Sequence, residues 1–460
     1  MINKESGEVN KVVLMAVTMT SNFFNPLMGA AVNIALPKIS GDLSLDAVAM
    51  SWVTMAYLLT SAVFLVPLGK IADICGRKKL FLYGNTFLAL ASFLCAVAPS
   101  GAFLISARLL QGIGSAMMFS TSMAIVISAF PPQDRGKVIG LNVSAVYVGL
   151  SAAPVLGGLL TEMLGWRSLF YINATVFSIM SMVIFYKIKA EWIEAENEKF
   201  DWNGTIIYML SMTSLMYGFS KLPDTKAIIL TLSGIVGLFI FVKVEIKNPF
   251  PVLNMKLFIE NKVFASSNLS AFINYAATFA VSFVLSLYLQ YAKHLSPKEA
   301  GMVLITQPVL MALIAIYSGR LSDKINPRWL ASSGMAISVV GLFLLAFLEV
   351  DTSLSFIIFA LAILGLGFGL FSSPNTNMVM SSVERRFYGV ASATVSTMRT
   401  TGMMFSMAIA SLSVHVFVGN QKINDSNIDR FIHSSKLIFL VFTLLCIAGV
   451  FSSLVGKKEL

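Results

Sequence analysis

Apolar stretches long enough to cross a bilayer, about 20 residues each, follow one another along almost the whole of this 460-residue chain. Lipid offers no partner to open backbone N–H and C=O groups, so a chain built this way must be nearly all helix. Fourteen runs can be counted, at residues 12–36, 48–69, 80–98, 102–129, 138–160, 168–188, 203–221, 226–244, 263–291, 299–318, 329–348, 353–373, 388–417 and 435–456. The linkers are too short to hide a sizeable soluble domain. Charged residues make up only 12% of the chain, roughly half the share a water-facing surface carries, which excludes a soluble multidomain enzyme. Cys75, Cys95 and Cys446 match neither a metal-ligand spacing nor a disulfide framework, and there are three histidines. No enzyme activity, metal or cofactor is expected. The formal charge of +10 reads as basic loops on one membrane face rather than as a nucleic-acid partner. The polar N-terminus lacks a signal-peptide pattern, so the first run is read as a permanent span.

Lysine and arginine set the orientation. Lys70, Arg77, Lys78 and Lys79 follow the second run, Lys243, Lys247, Lys256 and Lys262 follow the eighth, and Arg320, Lys324 and Arg328 follow the tenth. All three groups fall on one side, and the first loop, with Asp42 and Asp46, falls on the other. The positive-inside rule then places both termini in the cytoplasm of a multi-pass cell-membrane protein. The 187–203 loop disagrees in net charge, with Glu191, Glu194, Glu196, Glu198 and Asp201, but acidic residues count little in that rule.

An internal repeat divides the chain. Gly69-Lys-Ile-Ala-Asp73 returns as Gly319-Arg-Leu-Ser-Asp323, and Arg135-Gly136 returns as Tyr388-Gly389. In the same register Gly149, Ala153 and Gly157 match Gly402, Ser406 and Ala410, a ladder of small residues that lets membrane helices approach closely. Six spans are duplicated, with two extra spans between the copies. The expected units are residues 1–188, a linker over 189–262, and 263–460.

Several residues are candidates for the working parts. In the repeated loop Gly69 can bring helix ends close, Gly76 can supply a turn at positive φ, and Asp73 can pair with Arg77 or a neighbouring arginine. With Gly319 and Asp323, this reads as a charged latch between the two halves. Arg108, Gln111 and Ser115 share one helical face, and an arginine inside a span faces protein or a watery cavity more readily than lipid. Arg399 lies about 11 residues into its run, near the midplane at ~1.5 Å per residue. Pro154, Gly157 and Gly158 read as a hinge and seal, or as a tightly packed helix. Asn22, Asn25, Asn33, Tyr57, Asn142, Tyr147, Asn274, Gln307, Asn375 and Asn377 fall where a central cavity would be, although interhelical hydrogen bonding is the ordinary role of any single amide. No acid falls squarely inside a run; Glu162 and Glu245 lie at or beyond helix ends.

Together these motifs resemble the major facilitator superfamily over nearly the whole chain, in particular its fourteen-span drug:proton antiporter branch, which includes tetracycline and quaternary-ammonium exporters. Gly69 to Lys79 resembles the signature loop between helices two and three. Arg108-Leu-Leu-Gln111-Gly112-Ile-Gly114 resembles the fourth-helix motif, whose arginine the family links to proton coupling. Ala153-Pro154 with Gly157-Gly158 resembles the antiporter motif, and Trp166-Arg167 and Phe200-Asp201-Trp202-Asn203-Gly204 look typical of the branch. Met28 stands where the first helix usually carries aspartate ahead of Asn33-Ile-Ala-Leu-Pro37. Neither helix-one proton coupling nor recognition of cationic drugs therefore follows from the resemblance.

The resemblance implies an all-α membrane protein of the major facilitator fold, with two six-helix bundles of inverted three-helix repeats plus two linker helices. The expected function is alternating-access export of small amphipathic compounds, a multidrug-type antiport driven by the proton gradient. The alternative is an exporter or facilitator of a neutral or anionic metabolite. The expected partners are a small-molecule substrate and the lipid bilayer, with the chain a monomer.

Overall fold

The computed structural model describes residues 10–131, 135–195, 198–222, 224–253, 255–322, 324–384 and 388–454, with the backbone alone at 135–137 and 388–389. Asp323, the expected end of the second copy of the loop, lies outside the described residues. Every regular element among them is helical. The first six runs become α1 (Lys11–Leu43), α2 (Ala47–Cys75), α3 (Arg77–Ala96), α4 (Gly101–Ala129), α5 (Arg135–Leu164) and α6 (Arg167–Lys187). The linker runs become α7 (Trp202–Ser220) and α8 (Thr225–Lys247), and the short α9 (Met255–Glu260) leads onward. The ninth run is α10 (Lys262–Thr278) and α11 (Val281–Leu287), closed by a π-turn over Tyr288–Ala292; the tenth is α12 (Pro297–Leu304) and α13 (Thr306–Leu321). Four long helices complete the chain: α14 (Pro327–Leu345), α15 (Leu354–Ser381), α16 (Tyr388–Phe417) and α17 (Ile428–Ser453).

Short polar side chains start these helices where the apolar runs begin. Asp46 accepts from the Ala49 N–H at the head of α2, and Ser100 and Ser353 do the same for α4 and α15, each satisfying an amide that the helix leaves open. Thirteen helical stretches among the described residues are long and apolar enough to span a bilayer, and large apolar side chains such as Ile229, Leu232, Val236 and Phe239 of α8 lie exposed. The chain is an integral membrane protein. Fourteen spans were expected, and α7 is the one that falls short. Its 19 residues include Asn203, two threonines and three serines, which thin its apolar surface. Burial of Tyr208, Met212 and Met216 against its neighbours leaves it less of that surface to show to lipid.

The sequence repeat is also a repeat of packing. In the first half α5 lies along α1, α4 along α2 and α3; in the second, α16 lies along α10, and α15 along α13 and α14. A Cβ on Gly149 would sit 2.3 Å from the Phe23 carbonyl oxygen, and one on Gly402 would sit 2.5 Å from that of Phe272. These approaches, α5 on α1 and α16 on α10, leave no room for a side chain. The two halves meet through α2 against α16 and α5 against α12, while α7 touches both α2 and α16.

Candidate functional site

At one end of the molecule, the repeated loop builds a charge cluster. Gly76 closes α2 at φ 114°, a backbone region that glycine enters freely. The turn brings Arg77 back over Asp73 at 2.7 Å, and the same guanidinium donates to Ser128 Oγ at 2.6 Å and meets Glu194 at 3.1 Å. The acidic segment that disagreed in charge with its loop lies on this cluster. Glu191 accepts from the Lys78 and Lys79 backbone N–H groups at 2.7 and 3.2 Å, where it caps α3, and Glu198 pairs with Lys70. The Glu194 and Ala195 N–H groups both donate to the Asp73 carbonyl.

In this state the cluster does not bridge the halves. Every described partner of Asp73 and Arg77 belongs to the first half or to the strap that follows α6. At Gly69 a Cβ would meet only Ser120 at 3.7 Å, an ordinary contact, so close approach does not require that glycine; at Gly319 it would meet Ser373 Oγ at 2.7 Å.

Inside the first half, many buried polar groups bond one another, while Asn33 Nδ2, Arg108 Nη2 and Asn173 Oδ1 have no partner. Asn22 donates to Ser122 and to Asn142 Oδ1, both at 3.0 Å; Asn25 donates to Ser115 at 2.8 Å and accepts from the Tyr57 hydroxyl at 3.0 Å. Asn33 accepts from Thr54 at 2.7 Å. Arg108 is 1% exposed. Its Nε donates to the Val53 carbonyl at 2.9 Å, Nη1 donates to Gln111, and its guanidinium lies 4.4 Å from the Tyr57 ring centre. Gln111 passes the network on to Ser92. Asn22, Asn25 and Asn142 hydrogen-bond between helices, the ordinary role of a single amide.

The second half holds the other arginine singled out in the sequence. Arg399 donates to Thr376 at 2.9 Å and lies 5.7 Å from the Tyr275 ring centre, so α10, α15 and α16 meet at this level. Its Nε is buried without a partner, as are both amide atoms of Asn274 and Oδ1 of Asn375. Gln307 is half-buried. Asn377 lies nearer the helix end and donates to Ser322. Tyr147 reaches across from α5 to bond Ser372 and packs against the Tyr275, Met311 and Phe368 cluster. Among the described residues, neither Arg108 nor Arg399 has a carboxylate within 4.0 Å.

Pro154, Gly157 and Gly158 sit in the seam between the halves. A Cβ on Gly157 would lie 2.8 Å from Ala31 of α1, and one on Gly158 would lie 2.4 Å from the Pro297 carbonyl of α12. Gly301 of α12 returns the contact, 2.2 Å from the Pro154 carbonyl. Toward the Asp42 end, Ser51 bonds Ser411 at 2.7 Å, Ser286 and Gln290 donate to the Asn33 and Ile34 carbonyls, and the Ala47 N–H donates to the Gln421 carbonyl. Nearer the middle, Ser151 donates to the Pro308 carbonyl. Among the described residues, no hydrogen bond or ion pair joins the halves at the Arg77 end.

The sequence profile of the Major Facilitator Superfamily matches residues 18–247 and 268–459. The chain belongs to this superfamily. This facilitator is 29% identical to the riboflavin transporter RibZ of Clostridioides difficile, over 96% of each chain. It is 30% identical to multidrug resistance protein 3 of Bacillus subtilis, over 87% of this chain and 79% of that one. Its fold is similar to that of a bacterial homologue of the human lysosomal transporter Spinster, with a TM-score of 0.72, 14% identity, and coverage of 98% and 97% of the two chains. It is a transporter, not an enzyme.

One acid of the facilitator escaped the sequence reading. Glu245 was placed at or beyond a helix end, and it does lie in the last turn of α8, but the sequence did not show that it is buried, at 2% exposed. The signal was available in Phe200-Asp201-Trp202-Asn203-Gly204, whose Asp201 caps α7 beside it.

Proposed function

We propose that this facilitator carries small amphipathic compounds through the seam between its halves, and that uncharged and anionic compounds are preferred over permanent cations. One observation carries the reading: Asn274, Asn375 and Arg399 keep unpartnered buried atoms on α10, α15 and α16, where Tyr275 and Tyr147 pack, and Asn33 Nδ2 and Arg108 Nη2 of the first half are unpartnered too. Buried polar atoms in native proteins ordinarily have partners, and a passing substrate supplies them here. The charge placed at this level among the described residues, that of Arg399, is positive. With an effective dielectric of about 20, a guanidinium ~6 Å from a charged substrate contributes about 3 kcal/mol, or roughly a hundredfold in affinity.

Alternating access belongs to the proposal. Contacts between the halves gather at the Asp42 end and the middle, which fits a state open at the Arg77 end. The positive-inside rule makes that end cytoplasmic, with both termini on the same side of the cell membrane, and export is the direction proposed. The names of the relatives divide between riboflavin and multidrug transport. The full-length match to RibZ and the place of Met28 in α1 both favour an uncharged or anionic endogenous compound over a cationic drug. A proton gradient is the proposed energy source, drawn through groups outside the first helix.

Flux in proteoliposomes tests this, using riboflavin as the uncharged probe and size-matched organic anions and quaternary cations, with and without a proton gradient. The uncharged and anionic probes should move and the cation should be about a hundredfold poorer; strong gradient-driven transport of the cation would defeat the reading.

A further inference from the structure

Glu245 and Asp201 form a pair of carboxylates with no cation. Glu245 Oε1 and Asp201 Oδ2 are both buried and both lack a hydrogen-bond partner. They converge on one spot: a Cβ built on Gly204 would lie 2.1 Å from Asp201 Oδ2 and 2.2 Å from Glu245 Oε1, so only glycine leaves the gap between them open. The remaining oxygens are occupied. Asp201 Oδ1 accepts from the Gly204 N–H at 2.9 Å, and Glu245 Oε2 accepts from the Leu253 N–H at 3.0 Å. Glu245 and Arg108 are the two charged side chains among the fully buried groups of the described residues.

We propose that Glu245 and Asp201 share one bound proton, carried by Glu245, whose O–H donates to Asp201. Two buried carboxylates at this separation do not both ionise without a counter-ion, and the helix ends decide which keeps the charge. Asp201 caps the N-terminus of α7, where the helix dipole favours an anion; Glu245 lies in the last turn of α8, where the dipole opposes one. The surrounding charges do not compete. Lys243 and Lys247 of α8, Lys199 beside the cap, and Lys256 and Glu260 of α9 are exposed, and Lys243 lies over the Phe239 ring. Tyr208 of α7 is buried, but its hydroxyl donates to the Ala62 carbonyl. Among the described residues no lysine or arginine nitrogen comes within 4.0 Å of either carboxylate.

The proton makes the pair a clasp. It ties the end of α8 to the start of α7 and, through Leu253, to the turn that leads by way of α9 into the second half. The clasp lies in the linker and stands independently of the transport proposal. The folded chain holds a proton that the unfolded carboxylates release at neutral pH, so stability falls as pH rises.

Infrared spectroscopy and thermal unfolding of the full chain in liposomes test the clasp. At neutral pH the wild type should show the carbonyl stretch of a protonated carboxyl. Glu245→Gln should remove it, and Asp201→Asn should keep it at a shifted frequency. The wild-type melting temperature should fall between about pH 5 and about pH 7 more steeply than that of Glu245→Gln. A band that survives Glu245→Gln, or a wild-type pH profile that this variant leaves unchanged, would overturn the shared proton. So would a melting temperature that is flat with pH and rises with added Mg²⁺ or Ca²⁺, because the pair would then hold a metal cation.

Discussion

Asn25 donates to Ser115 and accepts from Tyr57, whereas Asn274, at the matching place in the second half, has neither kind of partner. The offset that relates Phe23 to Phe272 relates Asn25 to Asn274, and Gln307 and Phe368 stand where Tyr57 and Ser115 would be. Loss of a buried partner costs about 1–3 kcal/mol, so Asn25→Ala should destabilise the protein by that amount in thermal or denaturant unfolding. Asn274→Ala leaves no partner stranded. It should hold its stability within about 1 kcal/mol while substrate KM rises in the flux assay; unchanged flux with normal stability would remove Asn274 from the substrate path. The amide types and their depth were legible in sequence. Their roles were not, because the identity of the residue on the facing helix separates brace from binding group.

At the scale of elements, the runs and caps found most of the helices, because span length and short polar starters are local signals. The strap after α6 was opaque for the opposite reason. Glu191, Glu194 and Glu198 meet residues more than a hundred positions earlier, and only tertiary structure turns an acidic loop into the cover of a basic one. Gly76→Ala places a Cβ at φ 114° and 2.6 Å from the Glu191 carboxyl, at a cost of about 1–2 kcal/mol from the backbone alone. Limited proteolysis should then cut within residues 189–201 faster than in wild type, and equal cutting would mean that the strap is held elsewhere. Gly158→Val presses on the Pro297 carbonyl across the seam. In a Cys75→Ser background, a cysteine at Met50, fully buried near the Asp42 end, should become open to a membrane-impermeant maleimide in that variant. Continued protection would place the seal away from Gly158.

At the scale of the whole molecule, the two halves repeat each other's packing, and that symmetry was readable from the repeated loop and the matched ladder of small residues. How the halves stand relative to each other was not, since the contacts that decide it join residues such as Ser51 and Ser411. Their hydroxyl oxygens lie 2.7 Å apart, close enough for cysteines in both places to form a disulfide with little backbone movement. The proposed mechanism requires this contact to open in every transport cycle. Flux through the Ser51→Cys, Ser411→Cys double variant, in a background with Cys75 replaced by serine, tests that requirement directly. Oxidation should stop transport and a reductant should restore it to the level of the uncrosslinked protein; undiminished flux with the disulfide formed would contradict alternating access at this seam.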